Sequence, residues 1–352
     1  MMARSLFMIA AVLLFSLPAA LAQPQAPSGK NQASNDAQAL AQQGAESLQA
    51  GRYEDAVIAL RQAITLRPDW AEAHFTLGLA LKRMNKDKDA AEAFSEAAKL
   101  KPDWYEAYRA LGAVYNHMGQ PSKVVEALQK AVQLRPADTD TLTFLGIAYA
   151  GMGKNNEAVG AFLKAIQQNP DDIRSQAGLA SAYERMGKHK EAIETYKEVL
   201  RLNPDSAAAY NNLGLSHSKL GQSHEAIEDY KKALVLDPEH AAVHLNLGTE
   251  YFKLGRWGES AEAYQKALSF RPESYELHFH LGRSYHKAQR LNEAKEAYRK
   301  AISLNSDYAE AHFNLGMVYF ELGDRSAALE QQRILTSLGS DLARDLLKKI
   351  ER

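Results

Sequence analysis

Apolar and polar positions between Ala207 and His240 follow a helical rhythm twice, with a break between. Tyr210, Leu213, His217 and Leu220 keep the three-and-four spacing of one helical face, and Ala226, Ile227, Tyr230, Ala233 and Leu234 keep it again. The spacing predicts helices over residues 207–220 and 223–236, with Gly221 in the left-handed turn that ends the first and Pro238 stopping the second. Gly214 lies inside the first helix, where glycine costs about 1 kcal/mol relative to alanine. That cost predicts a neighbouring backbone too close for a side chain, with Ala226 and Ala233 facing the contact and Tyr230 filling the rest. Such a hairpin cannot bury all of its apolar surface alone.

The same pattern returns every 34 residues. Proline falls at Pro68, Pro102, Pro136, Pro170, Pro204, Pro238 and Pro272. A mid-helix Leu-Gly recurs from Leu77-Gly78 to Leu315-Gly316, interrupted where Ala180 takes the glycine's place. Three residues after that site stand Tyr115, Tyr149, Tyr183, Tyr251, Tyr285 and Tyr319. In the second helix Ala56, Ala90, Ala158, Ala192, Ala226 and Ala294 mark one site, and Phe94, Phe162, Tyr196, Tyr230, Tyr264 and Tyr298 stand four residues after that site in their repeats. This 34-residue helix-turn-helix resembles the tetratricopeptide repeat over about residues 37–338. The resemblance implies an all-α chain: an α-solenoid, a right-handed superhelix of about nine repeats. Units begin near residues 37, 71, 105, 139, 173, 207, 241, 275 and 309. Unbroken periodicity predicts one elongated solenoid rather than separate domains. Ser306 replaces the proline after the eighth unit, which marks that joint as the expected soft point.

Both ends depart from the period. Met1 to Ala22 reads as a secretory signal peptide: Arg4, an apolar run over residues 6–17, and a small-x-small site at Ala20-Leu21-Ala22. Cleavage after Ala22 predicts a periplasmic or secreted protein with no stable membrane insertion, since the run is shorter than the ~20 residues that span a bilayer. Residues 23–36 are polar, carry two prolines and a glycine, and are expected to form a disordered linker. At the other end Gly339 closes the ninth unit. Ser340 then introduces a C-terminal capping helix (339–352) with Leu342, Leu346, Leu347 and Ile350 along one side.

Charge and composition mainly exclude. With 42 Lys+Arg against 43 Asp+Glu, mixed along the helices, there is no basic stripe of the kind nucleic acids require. No cysteine occurs, which removes disulfides, thiolate metal sites and lipid attachment through cysteine. Eleven histidines invite a metal reading. His74, His244, His278 and His312 share one repeat position, however, and His278 and His280 lie two apart and point to different sides. Ligands on a helix pair at i and i+4. These histidines are therefore read as packing residues in the place where the family often has a large aromatic. Met84, Met118, Met152 and Met186 give way to leucine in later repeats and read as core; Trp70 and Trp104 read as staples onto the following helix. There is no nucleophile elbow, phosphate-cradling loop or isolated carboxylate pair. The expectation is a protein that is not an enzyme and carries no cofactor or metal.

One feature suggests a working surface. Two residues before the glycine site the last four repeats read Asn212, Asn246, His280 and Asn314, against Thr76, Ala110, Phe144 and Gly178 earlier. In the family the first helix of each repeat lines a concave surface on which asparagines form a ladder. An amide offers both donor and acceptor to an extended peptide, or it ties adjacent helices together. Leu245, Phe279, Phe313, Phe252 and Phe320 make the neighbourhood apolar, with Arg283, His286, Lys253 and Lys287 around it. The expected partners are other proteins or peptide segments, held by a non-enzymatic scaffold. The alternative is an accessory substrate-recognition subunit for a separate glycosyltransferase or a secretion or envelope-assembly machine, because similar repeats form the recognition arm of O-linked N-acetylglucosamine transferases. On that alternative the chain, as it runs to Arg352, is expected to act only with a separate catalytic partner.

Overall fold

A computed structural model describes residues 29–351 and divides the chain into two compact units, Met1–Pro102 and Asp103–Arg352. The expected signal peptide and residues 23–28 of the expected linker lie outside the described residues. Helices and their turns make up the described residues, without strands.

The first unit holds two hairpins, α1 (Gly29–Gln49) with α2 (Tyr53–Leu66) and α3 (Ala71–Arg83) with α4 (Asp87–Leu100). Helix α1 begins ahead of position 37, so residues 29–36, expected in the linker, are helical. From Gln32 to Asp36 the side chains are exposed or, at Ala33, half-buried, and Ala37 is the first buried one among the described side chains.

The second unit continues with seven hairpins: α5 (Tyr105–His117) and α6 (Pro121–Leu134), α7 (Thr139–Gly151) and α8 (Asn155–Gln168), α9 (Ile173–Arg185) and α10 (His189–Leu202), α11 (Ala207–Lys219) and α12 (Ser223–Leu236), α13 (Ala241–Lys253) and α14 (Trp257–Phe270), α15 (Tyr275–Lys287) and α16 (Leu291–Leu304), and α17 (Ala309–Glu321) and α18 (Arg325–Ser337). Helix α19 (Leu342–Ile350) closes the unit against α17 and α18. Within each unit every hairpin packs on the next, and the architecture is the α-solenoid that the period predicts.

The turn inside each hairpin needs a left-handed residue. Gly221 provides it with φ +76°; at the equivalent place in two repeats Asn85 (φ 58°) and Gln289 (φ 59°) adopt it without glycine's freedom. Entry into the first helix of a repeat is capped where the residue type allows it. The side chains of Asp138, Asp172, Ser206 and Ser274 accept the N–H three residues on. Trp70 and Trp104 hold that position without a side-chain cap, and Arg67 lies over the Trp70 ring at 4.9 Å.

The mid-helix glycines are sockets for side chains rather than for a backbone alone. A Cβ on Gly214 would stand 2.8 Å from Tyr230 Cε1 and 3.1 Å from the Ala226 carbonyl. Phe94 sits over Gly78, Leu128 over Gly112, Phe162 over Gly146, Tyr264 over Gly248 and Tyr298 over Gly282 in the same manner. The glycine thus lets the second-helix side chain press against the first helix, where it is fully buried; burial of one such side chain is worth about 1.5–3 kcal/mol.

The recurrent histidine has a role that packing alone does not describe. A ring Nε2–H of His74, His244 and His278 donates to the carbonyl of the proline six residues earlier, at 2.9, 2.9 and 3.0 Å. His312 makes the same bond to the Ser306 carbonyl at 2.9 Å, and Gln176 Nε2 reaches Pro170 O at 3.1 Å. These bonds tie the loop between repeats to the helix that follows. The Ser306 joint, expected to be soft, carries the same histidine tie as the joints at Pro68, Pro238 and Pro272.

Candidate functional site

The candidate surface is the face of α11, α13, α15 and α17, the first helices of the last four hairpins. Their side chains there fall into three groups.

The asparagines are bonded within the fold. Asn246 Nδ2 donates to Asn211 Oδ1 at 3.2 Å, tying α13 to α11, and Asn211 Nδ2 donates to Asn212 Oδ1 at 3.2 Å. Asn314 Nδ2 turns back onto the Glu310 carbonyl at 2.7 Å. Of the two roles expected for these amides, the structure displays the tie between adjacent helices, and Asn246 keeps its Oδ1 as an acceptor.

Three of the phenylalanines serve the core. Phe279 is 7 % exposed, edge-on to Tyr308 at 4.9 Å and tilted against Tyr298 at 5.8 Å. Phe313 and Phe320 are half-buried against the cluster that α19 completes. They are therefore not free groove residues, and the reason is the cap helix, which lies against the face they share on α17. Leu245 is half-buried on the core cluster below α15.

What remains together on the surface is Phe252, Arg283 and His280. Phe252 is half-buried and meets Trp257 edge-on at 4.8 Å. The Arg283 guanidinium lies over the Phe252 ring at 4.5 Å and 5.9 Å from the Phe279 centroid. His280, one turn before Arg283, stacks on Tyr264 at 5.4 Å with an 18° angle between rings. Burial, together with the neighbouring Arg283 charge, pushes the His280 pKa below the usual imidazole value, which favours the neutral ring.

One edge of this surface holds a polar latch that hydrophobic spacing does not announce. Glu250 is 1 % exposed, and its carboxylate accepts from Ser218 Oγ at 2.6 Å, Ser223 Oγ at 2.7 Å and Lys253 Nζ at 2.6 Å, joining α11, α12 and α13. Burial alone would raise the Glu250 pKa, but these donors outweigh it and hold the carboxyl below its usual value. A depressed folded pKa gives stability that is complete above the unfolded value, ~4.3, and is lost as pH falls through the lower folded value. Urea unfolding at decreasing pH should therefore show an acid loss below that point that shrinks in Glu250→Gln. An acid limb identical in the variant would contradict the latch.

Further along, His286 Nε2 faces Glu321 at 3.0 Å across α15 and α17, and His217 Nδ1 meets the 6 % exposed Asp229 at 2.7 Å. Among the described residues no group of three or more His, Asp or Glu side chains is placed to hold a metal ion, and no helix is long and apolar enough to cross a membrane.

With this geometry in place the likenesses to known proteins can be set beside it. The family model for the Cilia and flagella-associated protein 70 C-terminal domain, a tetratricopeptide-repeat model, matches residues 104–317. Models for the N-terminal TPR repeats region of Psidin and for a tetratricopeptide repeat match residues 46–154 and 309–333. The first covers more than half of the chain, and the chain belongs to the tetratricopeptide-repeat family. No curated protein sequence matches it.

A tetratricopeptide repeat protein from Parabacteroides merdae is similar in structure, with 21 % identity over 70 % of this chain and 99 % of its own and a TM-score of 0.51. MamA from Desulfovibrio magneticus is 25 % identical over 48 % of this chain and 95 % of its own, with a TM-score of 0.47. YrrB, described as a TPR protein with an unusual peptide-binding site, is 20 % identical over 53 % of this chain and 95 % of its own, with a TM-score of 0.49. The Parabacteroides likeness concerns the fold. Tetratricopeptide repeats generally mediate protein–protein interactions and are typically non-catalytic.

Proposed function

We propose that this protein is an exported, non-enzymatic interaction scaffold that holds an extended segment of a partner protein against the first-helix face of α11, α13 and α15. The observation that supports it most is the surface left after the core has taken its share. Phe252, Arg283 and His280 lie side by side and half-buried, with an apolar ring, a cation and a neutral imidazole available together. The second-helix rings that would offer similar chemistry are sealed over their glycines. Helix α17 contributes less than its sequence promises, because Phe313 and Phe320 serve the cap. Export rests on Arg4, the apolar run 6–17 and the Ala20-Leu21-Ala22 site.

The test has two arms. N-terminal sequencing of natively produced protein should begin at Gln23. A start at Met1 in the membrane fraction would overturn export. For binding, a panel of short extended peptides is presented to the wild type, to Phe252→Ala with His280→Ala, and to Asn212→Ala with Asn246→Ala. The first pair should lose affinity at least several-fold, since each removed contact is worth about 0.5–1.5 kcal/mol. The asparagine pair should mainly lower stability. Peptides bound equally by all three folded proteins would place the working surface elsewhere.

A further inference from the structure

The groups around Arg283 carry a more specific reading. We infer that the face of α11, α13 and α15 takes an acidic segment, with one carboxylate of the partner seated on Arg283; this rests on the peptide-binding reading above and names the class of peptide.

Arg283 is unusual among the arginines of the second unit. Most of them pair with a carboxylate or a carbonyl: Arg109 and Arg174 with Asp140, Arg135 with Glu106, Arg185 with the Ala150 carbonyl, Arg256 with Glu259, Arg290 with Glu293. Arg271 and Arg325 lack such a partner but are exposed, so water satisfies them. Arg283 is half-buried and, among the described residues, forms neither an ion pair nor a hydrogen bond. Phe252 and Phe279 lie against its guanidinium, and no acceptor among the described residues takes its N–H groups. A guanidinium has five donors in a fork that matches a carboxylate, and pre-ordering lowers the entropy cost of using it.

The nearby carboxylates cannot serve it. Glu250 is committed to Ser218, Ser223 and Lys253, Glu276 accepts from Ser274 at 2.9 Å, and Glu321 faces His286. Charge on the three helices points the same way. Together α11, α13 and α15 carry Lys219, Lys253, Arg283 and Lys287 against only Glu250 and Glu276, in a chain that is otherwise near neutral. Lys219 and Lys287 are exposed and form no ion pair among the described residues. Lys219 and Lys287 hold the same place at the ends of α11 and α15, with Lys253 of α13 between them already paired to Glu250, so the exposed two attract an elongated anionic chain while the half-buried Arg283 supplies the central contact. On α17 the sign reverses, with Glu310 and Glu321 and no Lys or Arg, which sets the limit of the acidic partner's path.

Fluorescence anisotropy with three end-blocked synthetic peptides decides the matter: alternating Glu and Ala, alternating Gln and Ala, and alternating Lys and Ala. The Glu peptide should bind ~tenfold tighter than the Gln peptide at low salt, with the advantage shrinking as salt rises, because exposed charges are screened. Arg283→Gln should remove most of that advantage and leave the Gln peptide within about twofold. Lys287→Gln, on an exposed side chain that supports no packing, should cost the Glu peptide about two- to threefold, and this arm keeps the test alive should Arg283→Gln disturb the fold. Equal binding of Glu and Gln peptides, or a Glu peptide indifferent to both variants, would overturn the acidic assignment. If both peptides bind equally and Phe252→Ala weakens both, peptide binding stands and only its charge class falls. If no peptide binds, both readings fall.

Discussion

A leucine at Gly214 should lower the stability of the second unit by about 3 kcal/mol or more, at the upper end of what overpacking usually costs. The first atom of any side chain there would stand 2.8 Å from the Tyr230 ring and 3.1 Å from the Ala226 carbonyl. The ring could swing away only by leaving the pocket in which it is 1 % exposed, and the carbonyl belongs to the backbone of α12 and cannot yield locally. Both neighbouring interfaces would suffer, since Tyr230 belongs to the cluster that includes Val243 and Leu247 of the next repeat. An alanine at Gly160 is the matching control and should have the opposite sign. That glycine sits inside α8, is exposed, and would present its Cβ to open space. There the change should add up to about 1 kcal/mol, the helix-propensity difference between the two residues. Denaturant melts of the two variants decide the point. Equal effects, or an indifferent Gly214→Leu, would mean that the ring-over-glycine contact does not hold the hairpin.

The contrast shows what the sequence could and could not convey. Helix spacing placed Gly214 inside a helix, and its recurrence in the period marked it as a close contact. Spacing states which face a residue occupies but not what lies above it. A backbone was expected over Gly214, and the Tyr230 ring is the closer neighbour. Phe252 and Phe279 looked equivalent on the same grounds. They differ because Tyr298 and Tyr308 close over Phe279, while the ring partners of the half-buried Phe252 among the described residues are Trp257 and the Arg283 cation. The asparagines illustrate the same limit in polar form. Asn246 spends its donor on Asn211, which lies 35 residues away in sequence and becomes a neighbour only when two repeats stack. The histidine tie was legible in principle: the six-residue interval from Pro68 to His74 recurs at Pro238–His244 and Pro272–His278. The latch on Glu250 was not, because its ligands Ser218 and Ser223 have no counterpart elsewhere in the period.

Replacing Leu346 with alanine should destabilise the last hairpin by about 2–5 kcal/mol, the range for truncating a fully buried leucine. In earlier repeats the glycine of the first helix is covered by the second helix of the same hairpin, as Tyr298 covers Gly282. In the last hairpin the equivalent second-helix position is Gln332, which supplies no ring. Leu346 from α19 takes the place instead: its Cδ2 lies 2.5 Å from where a Cβ on Gly316 would be, and the side chain is 0 % exposed. Around it Ala328, Leu335, Ala343 and Ile350 are buried, with Phe313, Met317 and Phe320 packed against them. The cap thus substitutes for a missing core residue as well as shielding an end. Because each repeat touches chiefly its neighbours, the damage should stay local. Hydrogen exchange on Leu346→Ala should show lost protection in α17 and α18 with α5–α14 unchanged, and truncation before Ser340 should extend that loss and promote aggregation through the uncovered Leu335 and Phe320. Lys348→Ala, on an exposed position of the same helix, should stay within about 0.5 kcal/mol of the wild type. Full protection of α17 and α18 in the Leu346 variant would show that the last glycine's cover contributes nothing to holding the hairpin.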